Sequence, residues 1–329
     1  LWILQSVVLV IVSVIMIFAY RAMFPPIDII EIYGRENGVY DKMNLLAFKY
    51  HISKSIYAGD YKTEEILQEI KDHEAVLIND LSAKKRNKIL KACFDMDKRV
   101  YVVPKISDVI MKHSEALNLI DTPLYLCRNR EITLWQSAIK RTLDVIVCVL
   151  ATVILSPVLI ITALAIKLED GGPVFYRQER VTEGGRRFNI LKFRSMIVDA
   201  EADGKPHPAG ENDSRITKVG KIIRGCRIDE LPQLLNIIKG DMSIVGPRPE
   251  RVEHVEKYTK EIPEFAFRLK MKGGLTGYAQ VYGKYNTSAL DKLKLDLTYI
   301  TNYSLLTDIQ IIFETVKILF FRESTEGFD

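Results

Sequence analysis

"LDVIVCVLATVILSPVLIITALAIKL", Leu143 to Leu168, is the stretch on which the fold turns. Its length suits a helix crossing a bilayer at about 1.5 Å per residue. Two features argue against a simple span. Ser156–Pro157 lies mid-segment, and proline there removes a backbone hydrogen bond and kinks the helix. Basic residues flank both ends, Lys140 and Arg141 before, Lys167, Arg177 and Arg180 after. The cytoplasmic bias of Lys and Arg then places both ends in the cytoplasm. A helix that enters, breaks at Ser156–Pro157 and returns satisfies both facts. The serine hydroxyl can serve backbone groups freed at the break. The segment is therefore expected to be re-entrant.

Upstream, "LWILQSVVLVIVSVIMIFAY" (1–20) is long and apolar enough to span a membrane. It lacks the basic start and small-residue cleavage site of a signal peptide. Arg21 follows it and sets its C-terminal end in the cytoplasm. A start at Leu1 rather than Met leads to the expectation that further membrane helices precede it, so residues 1–22 are read as the last of several. "FPPID" then ends the helix near Pro25 and Pro26.

From residue 26 to 130, short β-branched runs alternate with charged amphipathic stretches. "DIIEIYG", "KSIYAGD", "EAVLIND" and "RVYVVPK" read as strands, "KTEEILQEIKDH" and "SAKKRNKILKACF" as helices. That rhythm predicts a parallel, Rossmann-like sheet. The nucleotide fingerprint is poor: "YGRENGVY" offers Gly34 and Gly38 but no GxGxxG. Asp60 is placed at the end of the second strand, where a ribose-binding acid sits in such folds. Cofactor binding and a structural or sensing role both stay open.

The 329 residues leave room for two domains with proper cores, and a net charge of +4 does not call for nucleic acid. The four cysteines form no CxxC pair and the five histidines are dispersed, which speaks against zinc and disulfides.

Beyond the apolar segment cations crowd in, with Arg177, Arg180, Arg186, Arg187, Lys192 and Arg194 inside "FYRQERVTEGGRRFNILKFRSM". "VDAEADGKPHPAGENDSR" reads as a mobile loop. In "RIDELPQLLN", Arg227 to Asn236, the adjacent Asp229 and Glu230 fit an ordinary helix start, with Pro232 in the first turn. They equally fit a reactive pair. A carboxylate can attack phosphorus to give an acyl phosphate, dividing one hard step into two. Two carboxylates and phosphate oxygens also make a hard-oxygen Mg²⁺ site. In "GPRPE", Pro247 and Pro249 restrain Arg248, as suits bidentate contact with a phosphate.

Several motifs in one order, "FYRQER", "LKFRSM", "DELPQLLNIIKGDMSIVGPRPE" and "GLTGYAQVYGK" after the Ser156–Pro157 helix, resemble the monotopic phosphoglycosyl transferases, a bacterial sugar transferase family. The resemblance runs from about Ser137 to Arg322, and the upstream part resembles the family's long form. It implies an α/β membrane protein: a Rossmann-like parallel-sheet domain (26–130), a linker and re-entrant helix (131–168), and a mostly α-helical catalytic domain (169–329). It implies transfer of sugar-1-phosphate from a UDP-sugar to undecaprenyl phosphate at the bacterial inner membrane, on its cytoplasmic face. The route is ping-pong. Asp229 attacks the β-phosphate, UMP leaves, and the lipid phosphate takes the phosphosugar from Asp229. Glu230 assists with Mg²⁺, which Asp229 and Glu230 hold, or with protons. Arg248 binds phosphate, and Lys192, Arg194, Arg177, Gln178 and Gln280 line the pocket. A homodimer stays open. Thr182 stands where a glycine is common, and Lys284 where Arg is usual. A catalytically inactive sensing or assembly protein is the alternative, against which the intact Asp229–Glu230 pair and Arg248 weigh.

Overall fold

A computed structural model describes residues 2–35, 38–127, 132–198, 200, 213–284 and 287–320. The expected loop at 201–212, the linker at 128–131, part of "YGRENGVY" and the end of the family resemblance lie outside the described residues. The chain divides into two compact units, Leu1–Lys105 and Ile106–Asp329.

The first unit runs α1 (Trp2–Met23), β1 (Ile27–Tyr33), α2 (Val39–Asn44), β2 (Tyr50–Tyr57), α3 (Thr63–Lys71), β3 (Ala75–Asn79), α4 (Ala83–Asp95) and β4 (Arg99–Val102). Helix α1 is long and apolar enough to cross a membrane. The strands form one parallel sheet in the order β2-β1-β3-β4. Ile30, Ile32, Ile56 and Ile78 pack with Ile66, Ile70, Ile89 and Cys93 on one face. Ile29, Ile52, Ala75 and Leu77 pack with Val39, Met43, Tyr50 and Tyr101 on the other. Burial on both faces explains why β1 and β3 read as near-continuous apolar runs. Each fully buried isoleucine contributes about 1.5–3 kcal/mol. Strand β2 lies four residues earlier than "KSIYAGD" suggests, so Asp60 sits in the turn after it, with Asp60 N donating to Tyr57 O at 3.2 Å.

The second unit begins with α5 (Ile106–Lys112) and a hairpin, β5 (Glu115–Leu119) and β6 (Thr122–Leu126). The sequence reading missed this hairpin for a physical reason. Its two-residue loop is Ile120–Asp121, with Ile120 at φ 58° where a turn would ordinarily use Gly or Asn. Two helices follow, α6 (Leu134–Ile154) and α7 (Ser156–Asp170), bent by 62° at Leu155. Thr133 and Gln136 form a capping box at the start of α6. At the break Ser156 Oγ donates to Val153 O at 2.7 Å, which is the hydroxyl service expected from the sequence.

The chain then forms β7 (Phe175–Val181) and β8 (Arg187–Phe193), an antiparallel hairpin whose turn places Gly184 and Gly185 at positive φ. Thr182, the departure from the family pattern, is buried here. Its hydroxyl donates to Asp241 O at 3.2 Å and accepts from Gly273 N at 3.0 Å. After α8 (Lys218–Gly225) and α9 (Gln233–Lys239) comes β9 (Ser243–Val245), then α10 (Val252–Glu261), β10 (Gly274–Thr276), α11 (Tyr278–Tyr282), α12 (Ala289–Thr301) and α13 (Leu305–Phe320). Strands β9 and β10 pair in parallel. A Cβ at Gly246 would strike Lys272 O and one at Gly274 would strike Gly246 N, so "VGPRP" and "GLTG" can lie this close side by side only through glycine. The core of this region gathers Val245, Phe265, Leu293, Leu297, Tyr299 and Ile311. In α13 Asp308 and Ile311 are buried while Leu306, Ile309 and Phe313 face outward.

Candidate active site

The carboxylate pair is delivered by a reversal of the chain. Helix α8 ends at Gly225, and Arg227 takes a left-handed conformation at φ 55°. For a residue with a side chain that costs about 1–2 kcal/mol, a strain of the kind held at functional sites. A 3-10 turn, Ile228–Glu230, follows directly and carries Asp229 and Glu230. Pro232 then precedes the first residue of α9. The pair thus lies just before the helix rather than within its first turn.

Glu230 is held from two sides. Lys192 Nζ donates to its Oε1 at 2.7 Å, and Arg248 Nη2 donates to the same oxygen at 3.2 Å. Burial pushes Glu230 toward its neutral form, but Arg248 and Lys192 outweigh burial and hold the carboxyl down at about 2. Asp229 differs. Burial is the largest influence and raises its pKa; Lys192 pulls the other way, and Glu230 raises it further. No ion pair to Asp229 occurs among the described residues. Two neighbouring carboxylates therefore have unlike electrostatics, one bonded to two cations and one raised by burial against the pull of Lys192 and Arg224.

Arg248 is braced from behind by residues the sequence reading did not single out. Arg268, buried, donates Nη2 to the Arg248 carbonyl at 3.1 Å and Nε to Asp296 Oδ2 at 2.5 Å. Glu250 lies 3.8 Å from Arg268 Nη1. Arg180 donates to Pro249 O at 3.3 Å and to Gln178 Oε1 at 2.6 Å, and its Nε is buried without a hydrogen-bond partner. Burial, followed by the charge of Arg248, lowers Arg180 to about 10. No local pattern marks Arg268 or Asp296, since they are 28 residues apart and meet only in the fold. Arg180 carried a weak signal as one cation among many.

The remaining candidates separate. Gln178 and Lys192 lie on one face of the β7–β8 hairpin, because Gln178 pairs with Ile190 and Tyr176 with Lys192. Arg177, one position off, lies on the opposite face. Arg194 is buried and binds Asp170 and Pro173 O at the end of α7, away from the carboxylate pair's own contacts. Gln280 Nε2 donates to Leu275 O at 3.1 Å, while its Oε1 is buried without a partner. Ser156 and Pro157 form the start of α7, at the bend. So the structure brings Asp229, Glu230, Lys192 and Arg248 together and sets Gln178 against neighbouring Arg180, while Arg177 lies on the hairpin's other face, Arg194 binds Asp170 and Gln280 binds Leu275 O.

Mg²⁺ characteristically takes one or two carboxylates and completes its shell with water and substrate phosphates. Asp229 and Glu230 fit that donor set. Among the described residues Asp229 makes no ion pair, and the bonds from Lys192 and Arg248 to Glu230 both fall on Oε1. No cluster of three or more His, Cys, Asp or Glu suited to a metal occurs among the described residues, so phosphate oxygens would have to complete the shell.

Fold and site together define an α/β protein with a membrane-length helix, a bent apolar helix pair and a cation-braced carboxylate pair. The bacterial sugar transferase family model matches residues 135–322, and the chain belongs to that family. It is 38% identical over 231 residues to the UDP-N-acetylgalactosamine-undecaprenyl-phosphate N-acetylgalactosaminephosphotransferase of Aeromonas hydrophila, covering 67% of this chain and 52% of that one. It is 45% identical over 185 residues to the UDP-glucose:undecaprenyl-phosphate glucose-1-phosphate transferase of Caulobacter vibrioides, covering 55% of this chain and 69% of that one. An enzyme of the same name from Escherichia coli K12 is 37% identical over 234 residues, covering 70% and 50%. The chain thus spans about half the length of the Aeromonas and Escherichia relatives.

Proposed function

We propose that this protein transfers sugar-1-phosphate from a UDP-sugar to undecaprenyl phosphate, the reaction class in the names of its relatives. The observation that carries the reading is the unlike treatment of two adjacent carboxylates. Glu230 is fixed as an anion by Lys192 and Arg248, while Asp229 makes no ion pair among the described residues and its charged form is disfavoured by burial, against the weaker pull of Lys192 and Arg224. A carboxylate short of counter-charge is a better nucleophile than one tied into salt bridges.

An Asp229 oxygen attacks the β-phosphorus of the donor. The bond from that phosphorus to the oxygen bridging the two phosphates breaks, and UMP leaves with the electron pair. The phosphosugar is now an acyl phosphate on Asp229. A terminal oxygen of undecaprenyl phosphate attacks the same phosphorus, and the Asp229 carboxylate is the leaving group. Arg248 and Lys192 face negative charge as it develops on the phosphoryl oxygens. Glu230 keeps both cations in place between turnovers. Mg²⁺, when held by Asp229, Glu230 and the donor's phosphates, would neutralise charge on the transferring diphosphate.

The bent pair α6–α7 dips into the membrane and returns, with the catalytic residues on the cytoplasmic side. Its 62° bend and outward Leu150, Val153, Ile154, Ile160, Ile161 and Leu164 support this. Cysteines placed at Ser137 and Leu168 should label from the same side of the membrane; labelling from opposite sides would make the pair a span. For the reaction, a panel of UDP-sugars is assayed with undecaprenyl phosphate and Mg²⁺. Release of UMP is expected, whereas release of UDP would mean transfer of the sugar alone.

A further inference from the structure

Asp229 and Glu230 hang between two short helices, and the far end of each helix is fastened to the bent pair. Glu169, in the last turn of α7, accepts from Lys218 N at 2.8 Å and from Val219 N at 3.3 Å. These are first-turn amides of α8, which have no acceptor within their own helix. Arg141, on α6, donates Nη1 to Ile237 O at 2.5 Å and Nη2 to Ile238 O at 2.7 Å. These are among the last carbonyls of α9, where the helix end leaves acceptors short of amides; Ile237 O also accepts from Gly240 N at 3.0 Å. A guanidinium there also suits the negative end of the helix dipole.

A third fastening leads to Arg248. Asp144, buried three residues beyond Arg141, accepts from Ser243 Oγ at 2.7 Å and Ile244 N at 3.2 Å. Both donors belong to β9, which runs directly into Gly246–Pro247–Arg248. The carboxylate pair is therefore tied to α6 through α9 and to α7 through α8, while the arginine is tied to α6 through β9. The 62° bend separates the two sets of fastenings.

We propose that Arg141, Asp144 and Glu169 are positioning residues, and that the bent pair is the bracket that keeps Asp229–Glu230 in register with Arg248. The proposal rests on the transferase reading above. Because the fastenings lead to different parts of the site, they have different kinetic consequences. Loss of Arg141 or Glu169 loosens the helices flanking the nucleophile and acts on turnover. Loss of Asp144 loosens the strand that presents Arg248 and acts on donor binding.

The test uses the full chain in lipid nanodiscs, with constants referred to the folded fraction measured by thermal melting. Variants Arg141→Gln, Arg141→Lys, Glu169→Gln and Asp144→Asn are compared for kcat, KM for the UDP-sugar, and UDP affinity by calorimetry. Arg141→Gln and Glu169→Gln should each lower kcat roughly 10-fold, with KM within about twofold, because small misplacements of a reacting group are costly. Arg141→Lys should recover part of the loss, since one amine still reaches a carbonyl. Asp144→Asn should instead raise KM and weaken UDP about fivefold or more. Glu169 is exposed, so its variant tests the proposal even if an Arg141 change prevents folding. Unchanged constants in folded variants beside an active wild type would overturn the proposal alone. A wild type that neither binds UDP nor releases UMP would overturn the functional reading and this proposal with it.

Discussion

In the unit that ends at Lys105, β1 to β4 bury isoleucine, valine and leucine on both faces of a parallel sheet, and Glu31 is its one buried carboxylate among the described residues. Glu31 is satisfied by neutral donors, Ser55 Oγ at 2.8 Å and Asn79 Nδ2 at 2.9 Å. The unit from Ile106 onward is built differently. Lys140, Asp144, Arg194, Arg268, Asp296 and Asp308 are all buried, and they hold elements together as ion pairs and as bonds to backbone. Its strands come in pairs, which are marginal alone. Where the sheet is large, apolar area fixes the fold; where sheets are small, charged side chains join the pieces. The second arrangement leaves cations and carboxylates beside one another inside the protein, which the proposed transfer of a phosphosugar needs.

Substitutions sharpen this contrast. The largest effect falls on Asp229→Asn, which should reduce UMP release by more than about 1000-fold. Its fold should survive. Burial raises the Asp229 pKa, so its charge costs folding free energy at any pH above that raised value. The neutral amide removes that cost, and thermal melting should show unfolding no lower than wild type. Next comes Arg248→Ala, expected to raise KM for the UDP-sugar as well as lower kcat, so that kcat/KM falls by about 10²–10³ in steady-state assays, because this guanidinium both holds the donor's phosphate and faces the charge that develops on it. Arg268→Ala should be damaging in a different way, because it leaves the buried Asp296 without its cation. Breaking such a pair costs about 3–5 kcal/mol, which a melting experiment will register as an earlier transition.

The smallest effect on catalysis belongs to the sheet. Ile78→Ala removes a buried side chain that contacts the main core and should cost about 2–5 kcal/mol of stability. UMP release per folded molecule should stay within about twofold of wild type, since the carboxylate pair and its braces lie in the other unit. A large loss of turnover in folded Ile78→Ala would break the contrast between the units.

The two regions were unequally legible in the sequence. The parallel sheet could be read from its apolar periodicity, because burial on both faces leaves a continuous signature in β1 and β3. Asp229, Glu230, Lys192 and Arg248 could be picked out because they stand in dense motifs, and the structure brings them together. The bend at Ser156 was legible from proline chemistry. The β5–β6 hairpin was not, because an isoleucine occupies its turn. Arg194 read as a pocket cation but serves Asp170, a partner 24 residues away. Arg141, Asp144 and Arg268 act through partners 20 to 100 residues distant, often backbone atoms that carry no residue signature. Local pattern finds the groups that act, while the groups that hold them are set by the fold.

The most direct test of the central claim omits the lipid. The purified chain is mixed with its UDP-sugar and Mg²⁺ but no undecaprenyl phosphate, then quenched and digested for mass spectrometry. One equivalent of UMP should be released per enzyme, and the phosphosugar should be found on the peptide containing Asp229. Release of UMP only after undecaprenyl phosphate is added, with Asp229 unmodified, would contradict the covalent account.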